Sequence, residues 1–164
     1  MGGFTREELE REFTAFQQRG EDAGASGDWS SWADQFTEDA HYVEHAYGTF
    51  EGREAIRRWI TSTMGVFPGS RMPTFPVNWH VVDEEKGWVV CEVFNRMEDP
   101  GDGSVHQAAN VTILHYAGDG QWSYEEDVYN PADFLTMLKG WRQRAEELGT
   151  LPDDARDWFS AMGA

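Results

Sequence analysis

The sequence predicts an α+β fold, with helices preceding and then closing an antiparallel sheet. Three observations carry this. Apolar residues recur at spacings of three and four through the first 62 residues or so. From Val77 the pattern changes to runs rich in β-branched and aromatic residues, separated by turn signals. After the last run, Asn130-Pro131 opens another helical stripe, with Asn as N-cap and Pro at the first helical position.

Taken in order, Thr5 and Glu8 form a capping box, and Leu9, Phe13 and Phe16 make a helical face up to about Arg19. Residues 20–28 are loop-like in composition, and Asp28 caps a helix whose face is Trp29, Trp32 and Phe36. Asp39, His41, Tyr42, Glu44 and His45 then lie in a short extended segment, followed by a turn. Ile56, Trp59 and Ile60 mark the next helix, ending near Ser62. Residues 65–76 hold three prolines and two glycines among Val66, Phe67, Met72 and Phe75, which reads as an irregular mouth or lid.

Strands are expected at Val77–Val82, Trp88–Met97, Val105–Tyr116 and Gln121–Tyr129. Each separator (residues 83–87, 98–103 and 117–120) is a turn by composition. Phe134, Leu135, Leu138, Trp141 and Ala145 form the stripe of the following helix, and a short helix over about 153–162 follows Pro152. With no repeat and no linker, residues 1–164 read as one domain, with a core of about 4–145 and a helical tail of about 150–164.

Composition excludes several function classes. With 13 Lys and Arg against 30 Asp and Glu, the formal net charge is −17, so nucleic acid and anionic membrane surfaces are not expected partners. The single Cys91 precludes an internal disulfide or a thiolate metal cluster. No signal-peptide pattern or apolar span is present, so a cytoplasmic location is expected. His41 and His45 lie about 13 Å apart in extended chain, at about 3.3 Å per residue, too far to share a metal. No metal site and no cofactor are expected.

The last hairpin carries the chemistry. A turn centred on Gly118-Asp119 sets Asn110 opposite Asp127, with Glu125 and Tyr129 on the same face. On the neighbouring strand Val89, Cys91, Val93, Asn95 and Met97 form one face, apolar with one amide, as a cavity wall would be. Desolvation on such a wall raises a carboxyl towards the working range of a general base. Asp127 is therefore the candidate base, with His45 and Tyr42 as acid or oxyanion donors. Asn95, Asn110, Tyr129, Trp59, Val93 and Met97 are the candidate substrate-binding residues. The plainer alternatives are that Asp127 caps the helix at Pro131, that Tyr42 and the asparagines are satisfied packing, and that His45 is a surface residue.

Gly27-Asp28-Trp29, Phe36-Thr37-Glu38-Asp39-Ala40, Gly52-Arg53-Glu54-Ala55-Ile56 and Tyr124 to Phe134 together resemble SnoaL-like proteins of the nuclear transport factor 2-like superfamily. The resemblance covers roughly Phe4 to Ala145. It implies a cone-shaped (cystatin-like) α+β barrel, its curved sheet wrapped by N-terminal helices. The superfamily includes ketosteroid isomerases, scytalone dehydratase-like lyases, polyketide cyclases, limonene epoxide hydrolases and non-catalytic transport factors. Asp127 resembles the final-strand aspartate of the epoxide hydrolases and cyclases. Their Arg-x-Asp is replaced by Val93-Phe94-Asn95, and His45 stands near the isomerase base position. The expected function is cofactor-independent acid–base catalysis on a small apolar polyketide-, steroid- or terpenoid-like molecule. Isomerisation, dehydration, cyclisation and epoxide hydrolysis stay open, and a ligand-binding module or protein-assembly domain is the alternative. A homodimer through the outer sheet face, around Trp88, Val90 and Phe94, is also expected.

Overall fold

The computed structural model describes residues 3–163. Helix α1 (Arg6–Ser26) begins at Thr5, whose hydroxyl accepts the Glu8 backbone N–H. It runs past the expected end near Arg19, through residues whose composition suggested a loop. Gly24 is there for contact: a Cβ would sit 2.2 Å from the Pro73 carbonyl oxygen, so only glycine lets the 65–76 segment lie against the helix. The helix stops at Gly27, in the left-handed region at φ 77°.

Helix α2 (Trp29–Trp32) is a single turn capped by Asp28, and a 3₁₀ turn then leads into β1 (Phe36–Glu44). Phe36 therefore opens a strand and does not belong to the helix. Its ring still packs on Trp32, 5.1 Å between centroids, so the apolar spacing reported burial correctly and the element incorrectly. Strand β2 (Gly48–Glu51) occupies a stretch read as a turn, and α3 (Arg53–Met64) follows.

Strands β3 (Val77–Asp83), β4 (Trp88–Arg96), β5 (Gln107–Gly118) and β6 (Gln121–Val128) are successive antiparallel neighbours. The sheet order is β2-β1-β6-β5-β4-β3, and β1 runs parallel to β6. The sheet is thus mixed and not wholly antiparallel. A strand separated from its neighbour by the whole middle of the chain is free of the hairpin constraint that imposes antiparallel pairing.

The β5–β6 turn corrects the expected register. Its central residues are Asp119 and Gly120, both at positive φ (53° and 72°), and the irregularities on either side of Tyr116 cancel, so the displaced turn sets the register. Thr112, not Asn110, lies opposite Asp127. The slip is two residues, an even number, so the side chains keep their faces.

Helix α4 (Pro131–Leu148) starts at Asn130, which accepts the Ala132 N–H, and α5 (Asp153–Ala161) closes the chain. One buried cluster joins α1, α2 and α3 to the sheet through Leu9, Phe13, Trp32, Phe36, Ile56 and Trp122. A second joins α4 and α5 to the 65–76 segment through Phe67, Met72, Leu138, Trp141 and Phe159. Among the described residues, no helix is long and apolar enough to cross a membrane.

Candidate functional site

Between the two clusters lies a cavity of about 750 Å³. Phe16, Trp29, Trp32 and Ile60 line it from the first cluster's side, and Phe67, Met72 and Leu138 from the second's. Most of its polar groups come from the sheet: Tyr42 and Glu44 on β1, Asn95 on β4, Asn110 and Thr112 on β5, Glu125 and Asp127 on β6, with Tyr129 just beyond; Tyr47 and, from α3, Ser62 and Thr63 add hydroxyls. Strand periodicity puts the sheet residues there, since each pair on a strand is two residues apart.

These groups form one connected network. Asp127 accepts from Thr112 Oγ1 at 2.6 Å and from Asn110 Nδ2 at 2.9 Å on Oδ1, and from Tyr42 Oη at 2.5 Å on Oδ2. Asn110 in turn accepts from Asn95 Nδ2 at 2.6 Å and donates to Thr112 at 2.8 Å. Glu125 Oε1 lies 3.1 Å from the same Tyr42 hydroxyl. Asp127 keeps some open surface, which faces the cavity, while protein atoms shield it from bulk water.

Burial pushes the Asp127 carboxyl up to about 6, even though Thr112 and Tyr42 donate to its ionised form and pull it down. Burial, then the charge of Asp127, hold Glu125 well above the usual carboxylate range. Tyr42 is held protonated by burial and by both carboxyls. A hydroxyl has one proton and here has two carboxyl neighbours. Asp127, already taking two donors, is the partner that receives it. Glu125, the more distant partner, lies within reach of the same hydroxyl, and its burial favours the protonated form. The second Glu125 oxygen, Oε2, is buried with no partner, as is the indole nitrogen of Trp59.

The structure brings together Asp127, Tyr42, Asn95, Asn110, Tyr129, Trp59 and Val93 around the cavity. Two expected members lie elsewhere. His45 follows β1 on the side opposite Tyr42 and Glu44; it is half exposed and contacts Glu126 at 2.8 Å. Because Tyr42 and Glu44 face inward, the odd-numbered residue cannot. Met97 has left β4 and is buried in the second core cluster, not on the cavity wall. Thr112, Glu125 and Glu44 were not foreseen as site residues. Glu125 was visible on Asp127's face, and Thr112 needed only the correct turn. Cys91 is fully buried, and burial pushes its thiol up, so it is no nucleophile. Among the described residues no cluster of His, Cys, Asp or Glu is arranged to hold a metal.

The SnoaL-like domain profile matches residues 13–125, well over half of the chain. The chain belongs to the SnoaL-like family. Comparison with curated protein sequences gave no match. Solved structures similar to this SnoaL-like domain include an LEH-like epoxide hydrolase from M. tuberculosis, at TM-score 0.63 and 14% identity over 88% of this chain and 94% of that one. The epoxide hydrolase/cyclase-like enzyme SalBIII, associated with pyran ring formation in the polyether salinomycin, aligns at TM-score 0.58 and 15% identity, over 77% and 94% of the two chains. A ketosteroid isomerase-like protein from Catenulispora acidiphila, solved with trimethylamine, aligns at TM-score 0.59 and 20% identity over 77% and 90%. Identities this low establish the shared fold. Distant structural relatives of this SnoaL-like domain include enzymes and small-molecule binders.

Proposed function

We propose that this SnoaL-like domain is a cofactor-independent acid–base catalyst acting on a small, mainly apolar molecule held in its cavity. The observation that carries this is Asp127, a carboxyl pushed up to about 6 by burial yet facing an apolar-walled cavity. A base is most effective when its pKa lies near the working pH. Asp127 takes a proton from the substrate or from a bound water. Once Asp127 has taken that proton it no longer needs the Tyr42 hydrogen bond, and the Tyr42 O–H turns towards developing negative charge on a substrate oxygen. Asn110 and Thr112 hold the Asp127 carboxylate in place, and Asn95 holds Asn110. A polyketide-, steroid- or terpenoid-like compound suits the volume and the lining. The lack of Arg and Asp at Val93 and Asn95 argues against the water-activating arrangement of the epoxide hydrolases and leaves isomerisation, dehydration or cyclisation ahead of it.

One observation favours a second reading, a non-catalytic ligand-binding module: Asp127 already accepts three hydrogen bonds. The deciding experiment is a carboxyl NMR titration of Asp127, assigned with Asp127→Asn, followed by a turnover screen of ketosteroids, polyketide analogues and epoxides. A pKa near 6, with turnover falling by about 10²–10⁴-fold in the variant, establishes the catalyst. A pKa at or below the ordinary aspartate value, or full turnover in the variant, leaves the binding module.

A further inference from the structure

Nothing basic lines the cavity. Among the described residues its wall holds three carboxyl side chains, Glu44, Glu125 and Asp127, and no Lys, Arg or His. Buried carboxylates are ordinarily paired with a cation, because an uncompensated charge away from water is costly. The three differ in how they are satisfied. Asp127 is held by three donors, and burial, then the charge of Asp127, favours the protonated form of Glu125. Glu44, 5% exposed, accepts the backbone N–H groups of Ala46 and Tyr47, both on Oε2, at 2.9 and 2.6 Å.

The ordinary donors of the site are spent on one another. Asn95 serves Asn110, Asn110 and Thr112 serve Asp127, and Tyr42 gives its proton to Asp127 at 2.5 Å with Glu125 3.1 Å away. On the acid side, Oε2 of Glu125 is buried with no partner, while the Glu44 carboxyl also takes a bond from the Tyr129 hydroxyl. On the donor side, the buried indole N–H of Trp59 has no partner.

The surroundings of Glu44 are aromatic. Burial, and after it the nearby Glu44 carboxyl, raises the hydroxyls of Tyr47 and Tyr129. The Trp59 ring lies 4.8 Å from the Tyr42 ring and 6.2 Å from that of Tyr47. Glu44 and Asp127 are direct neighbours across the β1–β6 pair. A carboxylate among aromatic rings, in an apolar-walled cavity, is the chemistry that recognises an alkylammonium group.

We propose that the ligand of this cavity is an apolar amine bound in its protonated form, its ammonium head at Glu44 among Tyr47, Trp59 and Tyr129. Its hydrocarbon body lies against Trp29, Phe75 and Leu138. This rests on the reading of the cavity as a small-molecule site and narrows the substrate class. Asp127 stays free for chemistry on the atoms next to the charged nitrogen, and anionic ligands are rejected.

The test uses three probes of one shape, 1-adamantylamine, 1-adamantanol and 1-adamantanecarboxylate, at neutral pH. Binding is read by quenching of the wall tryptophans and by calorimetry. The amine should bind about tenfold tighter than the alcohol, the size of a desolvated cation–π contact plus a charge pair, and the carboxylate weakest. Glu44→Gln should remove the amine's advantage and Glu44→Asp should restore part of it. Bound amine should also lower the Asp127 pKa in the NMR titration, since a cation beside it favours the carboxylate. If alcohol and amine bind equally while Asp127 still titrates near 6, the amine inference fails and the acid–base reading stands. If none of the three binds, the cavity is no site for molecules of this size and both fail.

Discussion

At Asp127 two opposed effects are written in the same few atoms. Burial raises the carboxyl, while Thr112 and Tyr42 lower it by donating to the ionised form. Removing either donor therefore has a definite sign: Thr112→Val and Tyr42→Phe should each move the Asp127 titration above 6, and Glu44→Gln, which removes a neighbouring negative charge, should move it below. Carboxyl NMR reads all three, and a Thr112→Val variant titrating lower than wild type would mean that the bond to Oδ1 does not form. The same shift has a consequence for stability. A carboxyl at about 6 in the folded protein, against an ordinary 3.8, binds its proton more tightly when folded. Its contribution is therefore fully present below about pH 4 and is lost as pH rises towards 6, by on the order of 3 kcal/mol for about two units. Asp127→Asn lacks this titration. Chemical denaturation at the two ends of that window should show the variant gaining on wild type as pH rises, and a constant gap would contradict the buried, raised carboxyl.

Among the elements, α5 is the one whose role composition alone did not reveal. Its Trp158 lines the cavity, its Phe159 is 1% exposed in the second cluster, and Arg71 binds it through Asp154 while also holding Glu98. The helix is thus a wall of the site, fastened to the 65–76 segment. Phe159→Ala should cost about 3–5 kcal/mol of stability, as large-to-small changes in a packed core do. Amide exchange over residues 153–161 should quicken with it; protection unchanged from wild type would show that α5 is held from outside the cluster. The helices and strands that carry their own punctuation were legible in the sequence. Thr5, Asp28 and Asn130 cap where expected, because capping is a local hydrogen bond between near neighbours. What was not legible depended on distant contacts. The extension of α1 through Gly24 is set by Pro73, and the pairing of β1 with β6 involves no shared turn. The site was readable to the extent that it followed strand parity, which placed Tyr42, Asn95, Asn110, Glu125 and Asp127 inward. His45 failed the same parity once β1 was seen to carry Tyr42 inward, and Thr112 was hidden by a hairpin turn displaced towards Gly120.

For the whole molecule, the two faces of the sheet have different tasks. The inner face carries the cavity. The outer one presents apolar side chains across successive strands: Val81, Val90 and Ile113 in one row that ends on Glu126, Trp79, Val111 and Val128 in a flanking row interrupted by Glu92, and Trp88 stacked on His115 at 4.2 Å. Trp79 is 42% and Val81 58% exposed, on a protein that otherwise carries a formal net charge of −17. Contiguous apolar surface on so acidic a molecule calls for a cover. A second copy meets that need through a symmetric face-to-face contact, in which the same patch serves both partners. Mutual repulsion between two acidic subunits opposes the pairing and is screened by salt. The dimer we propose should therefore tighten as ionic strength rises, the reverse of an interface built from ion pairs. Sedimentation at micromolar concentration, in low and then in moderate salt, measures this directly. Val90→Lys, in the centre of the patch and remote from the cavity, should give a monomer that still binds ligand. A wild-type monomer at both salt concentrations would leave the outer face as exposed apolar surface and remove the dimer from the account.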